Sequence, residues 1–527
     1  MDKKWWTLLA VCLGTFMLLL DVTIVNVALP AIQSSLKANF SDLQWVVDAY
    51  ALSLASLLLT SGSLADLFGR RVLFAIGLVI FTAGSLLCGL ATSPLFIILS
   101  RAAQGIGGAI MFATSLALIA SAFQGRERGV AFGVWGAITG VAVAVGPVLG
   151  GLLTTGFSWR WIFFVNLPIG AFALAVTLTR LEESREAQAR RPDWAGFVTF
   201  TAALIALVYG LIRAQQSGWS DTGVIACFVA AVVGLAVFLM VERRGRQPMF
   251  ELSLFRLPTF AGGSIAAFAM SGTLFALLLY LVLYLQDDLG FSALGTGVRL
   301  LVLSGGVLAT STIAGRATAR VPVRWLIAPG LALVGIGLLL MAGIHATSAW
   351  THLIPGFILA GVGTGIINPP LASTAVGVVE PRRAGMASGI NATFRQVGIA
   401  TGIAALGTIF TTSLAAHVRS GLDGIPQLAG HSAQISVLVG SGDSGRAIAM
   451  APAALRGRLG SVIHASFADG LNGILVIGGI VALVSAVLCL ALIRQRDFAQ
   501  GSAAHARANA GAEADGGAPS PLGAGQA

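Results

Sequence analysis

The amino-acid sequence predicts an all-α membrane protein with fourteen transmembrane helices, and two observations carry that prediction. Hydrophobic residues make up 56% of the 527-residue chain and charged residues only 10%, far from the composition of a soluble globular protein. The apolar residues also form runs of about 20, the length of a helix that crosses the hydrocarbon of a bilayer. Fourteen such runs are found, at roughly residues 7–29, 43–64, 72–92, 95–121, 130–153, 161–180, 194–213, 222–241, 260–286, 295–315, 325–344, 351–376, 387–412 and 471–493.

The net charge of +10 is explained by where the basic residues lie relative to the membrane. They are concentrated on alternate loops between the apolar runs, among them Lys3, Lys4, Arg70, Arg71, Arg126, Arg128, Arg243 and Arg244. Because positively charged loops stay in the cytoplasm, we expect a multi-pass protein of the cell membrane with both termini cytoplasmic. The same residues are expected to meet anionic lipid. The sequence offers no soluble basic face for nucleic acid.

Two charged linkers divide the fourteen runs into six, two and six. Residues 1–180 form the N-terminal group of six. Residues 181–259 contain two inserted spans with the charged linkers on either side, and residues 260–497 contain the last six. Two six-helix halves are what a rocking transporter needs, with its substrate held between them near the middle of the bilayer.

Two further segments lie outside the spans. Residues 413–470 are rich in Gly, Ser and Ala, and are expected to form a long extracellular loop with short surface helices. The Ala/Gly-rich residues 498–527 are expected to form a disordered cytoplasmic tail.

Three ionisable residues are predicted to share one layer of the membrane. At 1.5 Å per helical residue, Asp21 lies roughly 13 Å, Asp48 roughly 9 Å and Arg101 roughly 10 Å below the outer boundary. An acid inside hydrocarbon costs about 2.5–3.5 kcal/mol or more, so such residues are functional by default. We therefore expect a proton-coupling or substrate site at Asp21, Asp48 and Arg101, with Gln104 one turn along beside the arginine.

Each of these residues also has a structural interpretation. Asp21 and Arg101 can form an ion pair that only holds the helices together, and Asp48 can reach the interface near Trp45. Gln104 and the glycines beside it can serve close helix packing. A carboxyl balanced between burial and a nearby arginine can instead take up and release a proton, or exchange it for a cationic substrate.

The polar turn at residues 62–71 has the pattern G-x-L-A-D-x-x-G-R-R. It resembles the loop between the second and third spans of the major facilitator superfamily of secondary transporters. The resemblance implies a cytoplasmic latch, consisting of Gly62, Asp66, Gly69, Arg70, Arg71 and, on a neighbouring loop, Glu127. Asp66 is expected to hold a helix N-terminus of the other half, and Arg70 to pair with Glu127.

Further segments resemble one branch of that superfamily, the fourteen-span drug/proton antiporters. Residues 20–30, L-D-V-T-I-V-N-V-A-L-P, resemble their first-span signature, and residues 101–108, R-A-A-Q-G-I-G-G, their fourth-span motif. The resemblance implicates Arg101 in proton transfer and implies a major facilitator fold of two six-helix halves plus two inserted helices. The pattern G-P-x-x-G-G on the fifth span, at Gly146, Pro147, Gly150 and Gly151, resembles the signature associated with antiport. In isolation it is an ordinary packing motif of membrane helices.

Residues 385–398 resemble the thirteenth-span pattern of the same family. Arg395 and Gln396 lie in the inner half of that span, where gating, packing and substrate contact are all open.

The sequence therefore predicts a proton-coupled antiporter that exports lipophilic, cationic drugs or antibiotics. The alternative is a transporter of one metabolite, such as a siderophore, amino acid or sugar. An enzyme is disfavoured because the histidines lie at or beyond the span ends and no phosphate loop or nucleophile elbow is present.

We expect no cofactor or metal, with the proton gradient as energy source. The expected partners are a small-molecule substrate, protons and lipid, and the protein is expected to act as a monomer.

Overall fold

The computed structural model describes residues 2–123, 125–184, 193–245, 248–318, 320–379, 384–423, 425–429, 431–440 and 444–498. Within these ranges the chain is almost entirely helical and contains no β-strand. Fourteen helices are long and apolar enough to cross a membrane, which confirms the predicted fold class.

The fourteen spans, numbered in chain order, are α1 (Lys3–Leu36), α2 (Phe40–Phe68), α3 (Arg70–Gly89), α4 (Pro94–Ala122), α5 (Gly125–Gly156), α6 (Trp161–Arg180), α7 (Trp194–Ser217), α8 (Thr222–Arg244), α9 (Pro258–Asp288), α10 (Ala293–Ala317), α11 (Arg324–Met341), α12 (Ile354–Gly377), α13 (Ala384–Asp423) and α14 (Arg456–Leu492).

Short polar side chains set where several spans begin. At the start of α2, Asn39 accepts a hydrogen bond from the Asp42 amide, and the Asp42 side chain accepts one from the Asn39 amide. The other side-chain caps of this kind are on α4, α7, α8 and α10, from Ser93, Asp193, Asp221 and Ser292. Each satisfies a backbone amide that the helix itself leaves unpaired.

The loop predicted at residues 413–470 is shorter than expected. Helix α13 continues to Asp423 and α14 already begins at Arg456. Leu414, Val418 and Leu422 recur every fourth residue and are buried, so this stretch keeps one apolar face beyond the membrane. Short helices at Pro426–Ala429, Ser432–Gly440 and Ser444–Met450 lie between the two spans. Residues 499–527 of the predicted tail lie outside the described part of the chain.

The packing of the first six spans is repeated by the last six. Helix α1 packs on α4, α5 and α6, and α9 packs in the same way on α12, α13 and α14. Likewise α4 contacts α2 and α3, as α12 contacts α10 and α11. The inserted α7 packs on α2 and α13 and carries α8 on its other side.

The two groups of six meet along a surface that we call the seam, formed by α5 with α10 and by α2 with α13. We call the end where α1 turns into α2 the Lys37 end, and the end where α2 turns into α3 the Gly69 end. At the Lys37 end the seam is tightly closed. The side-chain amide of Gln286 donates to the Val27 carbonyl at 2.8 Å, and the backbone amide of Leu294 donates to Thr155 Oγ1 at 3.1 Å.

Glycines allow this close approach, because a methyl group at Gly297 would overlap the Pro147 carbonyl, and one at Gly151 would overlap that of Ala293. Toward the Gly69 end, α5 and α10 separate. A methyl group at Gly140 would still lie 3.3 Å from Leu308, whereas one at Gly136, a turn further, would meet no described atom within 4 Å. The seam therefore opens toward the Gly69 end along this pair of helices.

A methyl group at Gly297 is expected to loosen the Lys37 end. Overpacking of this kind costs about 1–3 kcal/mol, enough to shift the closed fraction roughly fivefold or more. We expect Gly297→Ala to reduce cross-linking between cysteines placed at Thr155 and Leu294 by a short thiol reagent, with the four native cysteines replaced. The control is Gly305→Ala on the same helix, where a methyl group meets no described atom within 4 Å. Equal cross-linking in both variants would show that this contact does not hold the seam closed.

Candidate functional site

Asp21, Arg101 and Gln104 form one buried hydrogen-bonded network between α1 and α4. Arg101 Nη1 forms an ion pair with Asp21 Oδ2 and donates to Gln104 Oε1 at 2.7 Å. Gln104 Nε2 donates to Asp21 Oδ1 at 2.8 Å. The three residues are at most 1% exposed. The sequence prediction that these residues belong together agrees with this geometry.

A second layer of polar groups surrounds this network. Gln104 Nε2 also donates to Ser85 Oγ at 2.7 Å, and Asn166 Nδ2 donates to Ser85 Oγ at 3.1 Å. Arg101 Nε donates to the Val46 carbonyl, and the guanidinium carbon lies 4.2 Å from the centre of the Tyr50 ring. The Asp21 carboxylate is therefore compensated by a positive charge and by side-chain donors from α4 and α6.

Sequence reasoning missed the roles of Ser85, Asn166 and Tyr50. Asn166 carried a usable signal, because an amide deep in an apolar run is costly unless it is paired. Ser85 carried little, since serine is common in membrane helices, where it serves close packing.

Asp48 lies apart from this network, although the sequence predicted all three ionisable residues in one layer. Tyr50 stacks on Arg101, and two helical residues correspond to a rotation of about 200°, so Asp48 points to the opposite side of α2. One turn earlier, Gln44 Nε2 donates to Tyr280 Oη and to the Ile403 carbonyl, both at 3.2 Å. Asp48 therefore faces the seam with α9 and α13.

The Asp48 carboxyl has no hydrogen-bond partner among the described residues. Its side chain is 0% exposed, and both oxygens are buried without a donor. A buried carboxylate without a counter-charge is strongly disfavoured, so this group requires either a proton or a cation.

A narrow cavity of about 30 Å³ lies between the two groups of six spans. Its wall is mostly apolar, and the polar residues that line it are Thr23, Asn26, Ser304 and Thr364. The lining residues are Thr23, Asn26, Val27, Val143, Pro147, Leu274, Phe275, Leu278, Val282, Leu300, Leu303, Ser304, Val307 and Thr364. Its position between the two halves and its apolar lining suit a lipophilic molecule.

The glycine motif of α5 joins this cavity to α1 and α10. Gly146 and Gly150 face Thr23 and Ile24 of α1, where a side chain would overlap the neighbouring helix. Gly151 faces α10 across the seam, and Pro147 lines the cavity. These residues have a packing role in the structure, so any effect on antiport would act through the fit of α5 against its two neighbours.

The predicted latch is built around Gly69, which has a φ of 109° between α2 and α3. At this angle a residue with a side chain is strained, and a methyl group here would overlap the Glu183 carboxylate. That carboxylate accepts from the amides of Arg71 at 3.1 Å and Val72 at 3.2 Å. Glu183 follows α6 and was not predicted; it caps α3 and ties the turn to the end of α6.

The other latch residues have separate environments. The Arg71 guanidinium donates to the carbonyls of Thr177 and Leu178 on α6. Glu127 accepts from the Lys4 ammonium at 2.9 Å.

The Asp66 side chain lies outside the described part of the chain, so its contact with the other half stays a prediction, as does the pair of Arg70 with Glu127. Gly62 lies within α2, and a methyl group there would meet no described atom within 4 Å.

In the second half, Arg395 on α13 donates to Asn368 Oδ1 on α12. Gln396 is partly buried on the same helix. Arg395 forms no salt bridge with any acid in the described ranges.

Comparison with known proteins places these features in context. A family model described as Major Facilitator Superfamily matches residues 11–403. The chain is 39% identical over 419 residues to the multidrug resistance protein Stp of Mycobacterium tuberculosis, covering 79% of this chain and 78% of that protein. It is 31% identical over 494 residues to the tetracenomycin C resistance and export protein of Streptomyces glaucescens, covering 93% and 91%.

A solved structure is also similar. It is a bacterial homolog of the human lysosomal transporter Spinster in an inward-facing, unoccupied conformation, with a TM-score of 0.61. It is 18% identical in sequence, and the match covers 95% of this chain and 98% of that one. At this identity the similarity concerns the fold alone.

Breaking the Asp21–Arg101 pair from either side should destabilise the protein. Removing one partner of a buried pair typically costs about 3–5 kcal/mol, because the other charge stays buried. We expect Asp21→Asn and Arg101→Gln each to lower the apparent melting temperature in detergent by roughly 5 °C or more. In the double variant the melting temperature should fall by less than the sum of the two single decreases. The control cycle uses Lys3 and Glu182, an ion pair in which both side chains are 73% exposed, and should be additive. An additive cycle at Asp21 and Arg101 would contradict the network.

Removal of the Glu183 cap should loosen the start of α3. An N-terminal cap contributes about 1 kcal/mol, so we expect the amides of Arg71 and Val72 to exchange hydrogen roughly fivefold faster in Glu183→Ala. The matched control is Glu182→Ala, which only removes a surface contact with Lys3. If the two variants exchange alike at these amides, Glu183 is not the cap.

Proposed function

This chain belongs to the major facilitator superfamily, and on that premise we propose that it is a proton-coupled antiporter that exports lipophilic, cationic drugs or antibiotics from the cytoplasm. The names of its relatives support export of such compounds, since one is a multidrug resistance protein and another a resistance and export protein for tetracenomycin C. The mostly apolar cavity supports a lipophilic substrate over a sugar, which would need many more polar partners.

The observation that carries the proposed coupling is the unpartnered Asp48 carboxyl. In the closed seam the described protein supplies it with no donor or counter-charge, so the neutral, protonated form is the one that burial favours. Opening of the α2–α13 contact would expose the carboxyl to water and substrate. There it can lose its proton and attract a cation, so that proton and drug compete for one group.

Asp21 has a different role in this proposal. Its Oδ2 is paired with Arg101, and its Oδ1 accepts hydrogen bonds from Gln104 and Asn166. The network ties α1 to α4 and α6, and α1 lines the cavity through Thr23 and Asn26. A proton on Asp21 would weaken the bond to Arg101 and free α1 to move, which links proton uptake to the shape of the cavity.

The orientation of the chain gives the direction of transport. We place the Gly69 end in the cytoplasm, because the loops at that end carry most of the arginines and lysines. Along α5 and α10 the seam is then closed on the outer side and diverges on the cytoplasmic side. This is the arrangement in which an exporter takes up its substrate.

Asp48→Asn should abolish proton-driven export while leaving the fold intact. The substitution keeps the size of the side chain and removes its charge, and no described hydrogen bond is lost. In a pump-deficient bacterium that expresses the chain, we expect ethidium efflux to fall roughly tenfold or more, the loss of one charge–charge contact. Asp42→Asn on the same helix is the control and should export normally.

The proton gradient is tested in the same cells. Collapse of the pH gradient with nigericin should stop efflux by the wild type. Efflux that continues without the gradient, or an Asp48→Asn variant as active as the wild type, would overturn the proposed coupling. Export of one metabolite and of no drug would favour the alternative of a specific transporter.

A further inference from the structure

We propose that Arg395 and Asn368 form a second recognition point, which binds an anionic oxygen group of the transported molecule, such as a carboxylate or phenolate. This inference rests on the proposed export function and narrows its substrate class. The transported cation would then also carry an acidic group, so the preferred substrates are amphoteric.

The first argument is charge balance. Arg101 is fully buried and is paired with Asp21, whereas Arg395 is partly buried. Arg395 has only the neutral Asn368 oxygen, and no acid in the described ranges lies within salt-bridge distance. A guanidinium among apolar helices is costly unless it is paired, and such residues mark substrate paths.

The second argument is position next to the cavity. Asn368 lies four residues after the cavity-lining Thr364 on α12, so the two side chains share one face, about one turn apart. On α13, Arg395 lies three residues before Gly398, which is in tight contact with Phe268 and Gly272 of α9. These contacts place Arg395 about two turns along the bundle from Leu274, where α9 begins to line the cavity.

That part of α9 is itself irregular. Residues Ser271–Phe275 form a π-helix, and Leu274 and Phe275 line the cavity. Such bulges inside membrane helices are frequent at functional sites, because they displace side chains and free backbone groups. The helix that carries Arg395 therefore packs against a segment whose geometry departs from the regular α-helix.

The third argument is the chemistry of the donors. Asn368 occupies one terminal nitrogen of the guanidinium and orients the group. The remaining nitrogens are not among the fully buried atoms without partners, so they keep some access. A planar guanidinium with two free donors matches the two oxygens of a carboxylate, and also binds a phenolate oxygen.

Asp48 and Arg395 have opposite signs, and neither has a counter-charge among the described residues. Asp48 on α2 suits a cation, and Arg395 on α13 suits an anion, and these two helices pack on each other across the seam. A lipophilic molecule with both an amine and an acid would satisfy both groups at once. It would also neutralise both charges before it crosses the membrane.

The test compares two dyes that differ at one group. Rhodamine B carries a xanthene cation and a free carboxylate, and its ethyl ester has the same cation without the acid. Binding to the purified full chain in a neutral maltoside detergent is measured by fluorescence anisotropy. We expect Arg395→Gln to weaken the acid dye roughly tenfold or more, the size of one charge-assisted pair, and the ester by less than about twofold.

Two further variants keep the test decisive. Arg395→Lys retains the charge without the planar fork and should weaken the acid dye by roughly threefold while leaving the ester unchanged. If Arg395→Gln does not elute as a folded protein in size-exclusion chromatography, the Arg395→Lys result decides whether Arg395 binds the acidic group. Arg213→Gln is the control, since that arginine is partly exposed on α7 and paired with Asp221. It should change neither affinity.

Equal loss of both dyes in the Arg395 variants, or unchanged binding of the acid dye, would overturn this inference. Because binding is measured without a gradient, the outcome is separate from transport. A chain that binds the acid dye through Arg395 but shows no proton-driven efflux would keep this site and overturn the export function. A chain that exports ethidium normally and binds both dyes alike in every variant would keep the export function and overturn this site.

Discussion

The architecture depends on the cost of placing charge inside a membrane. An isolated ion costs several kcal/mol in hydrocarbon, so each buried charged group needs a partner or a proton. Asp21 and Arg101 meet this requirement within the first half, through a network that reaches four helices. Asp48 and Arg395 do not meet it from the described protein alone. The contrast between satisfied and unsatisfied charges separates the structural core of each half from the surfaces that face substrate.

The seam gives these unsatisfied groups access to either side of the membrane. Glycines at its Lys37 end bring α5 and α10 into backbone contact, which closes that end without large side chains. Contacts built from small residues and few hydrogen bonds can be separated and formed again at low cost, as rocking of two halves requires. Each half keeps its own internal packing, and the pattern of that packing is repeated between them.

Much of this was predictable from sequence. Hydropathy gave the fourteen spans, and the similar depths of Asp21 and Arg101 along their helices indicated that these two residues belong together. Side-chain direction was not predictable, because depth along a helix does not specify its face; this is why Asp48 was placed with Arg101 although the two are on opposite sides of α2. Glu183 was missed because its partners are backbone amides more than 100 residues away, and backbone amides leave no trace in the sequence.

The central claim is that Asp48 exchanges a proton for the substrate cation. The most direct measurement is proton release by the purified protein in weakly buffered detergent with a pH indicator, on addition of tetraphenylphosphonium. The account predicts that the wild type releases protons in step with binding, and that Asp48→Asn binds the cation weakly and releases none. Binding by the wild type without proton release, or the same release from Asp48→Asn, would contradict it.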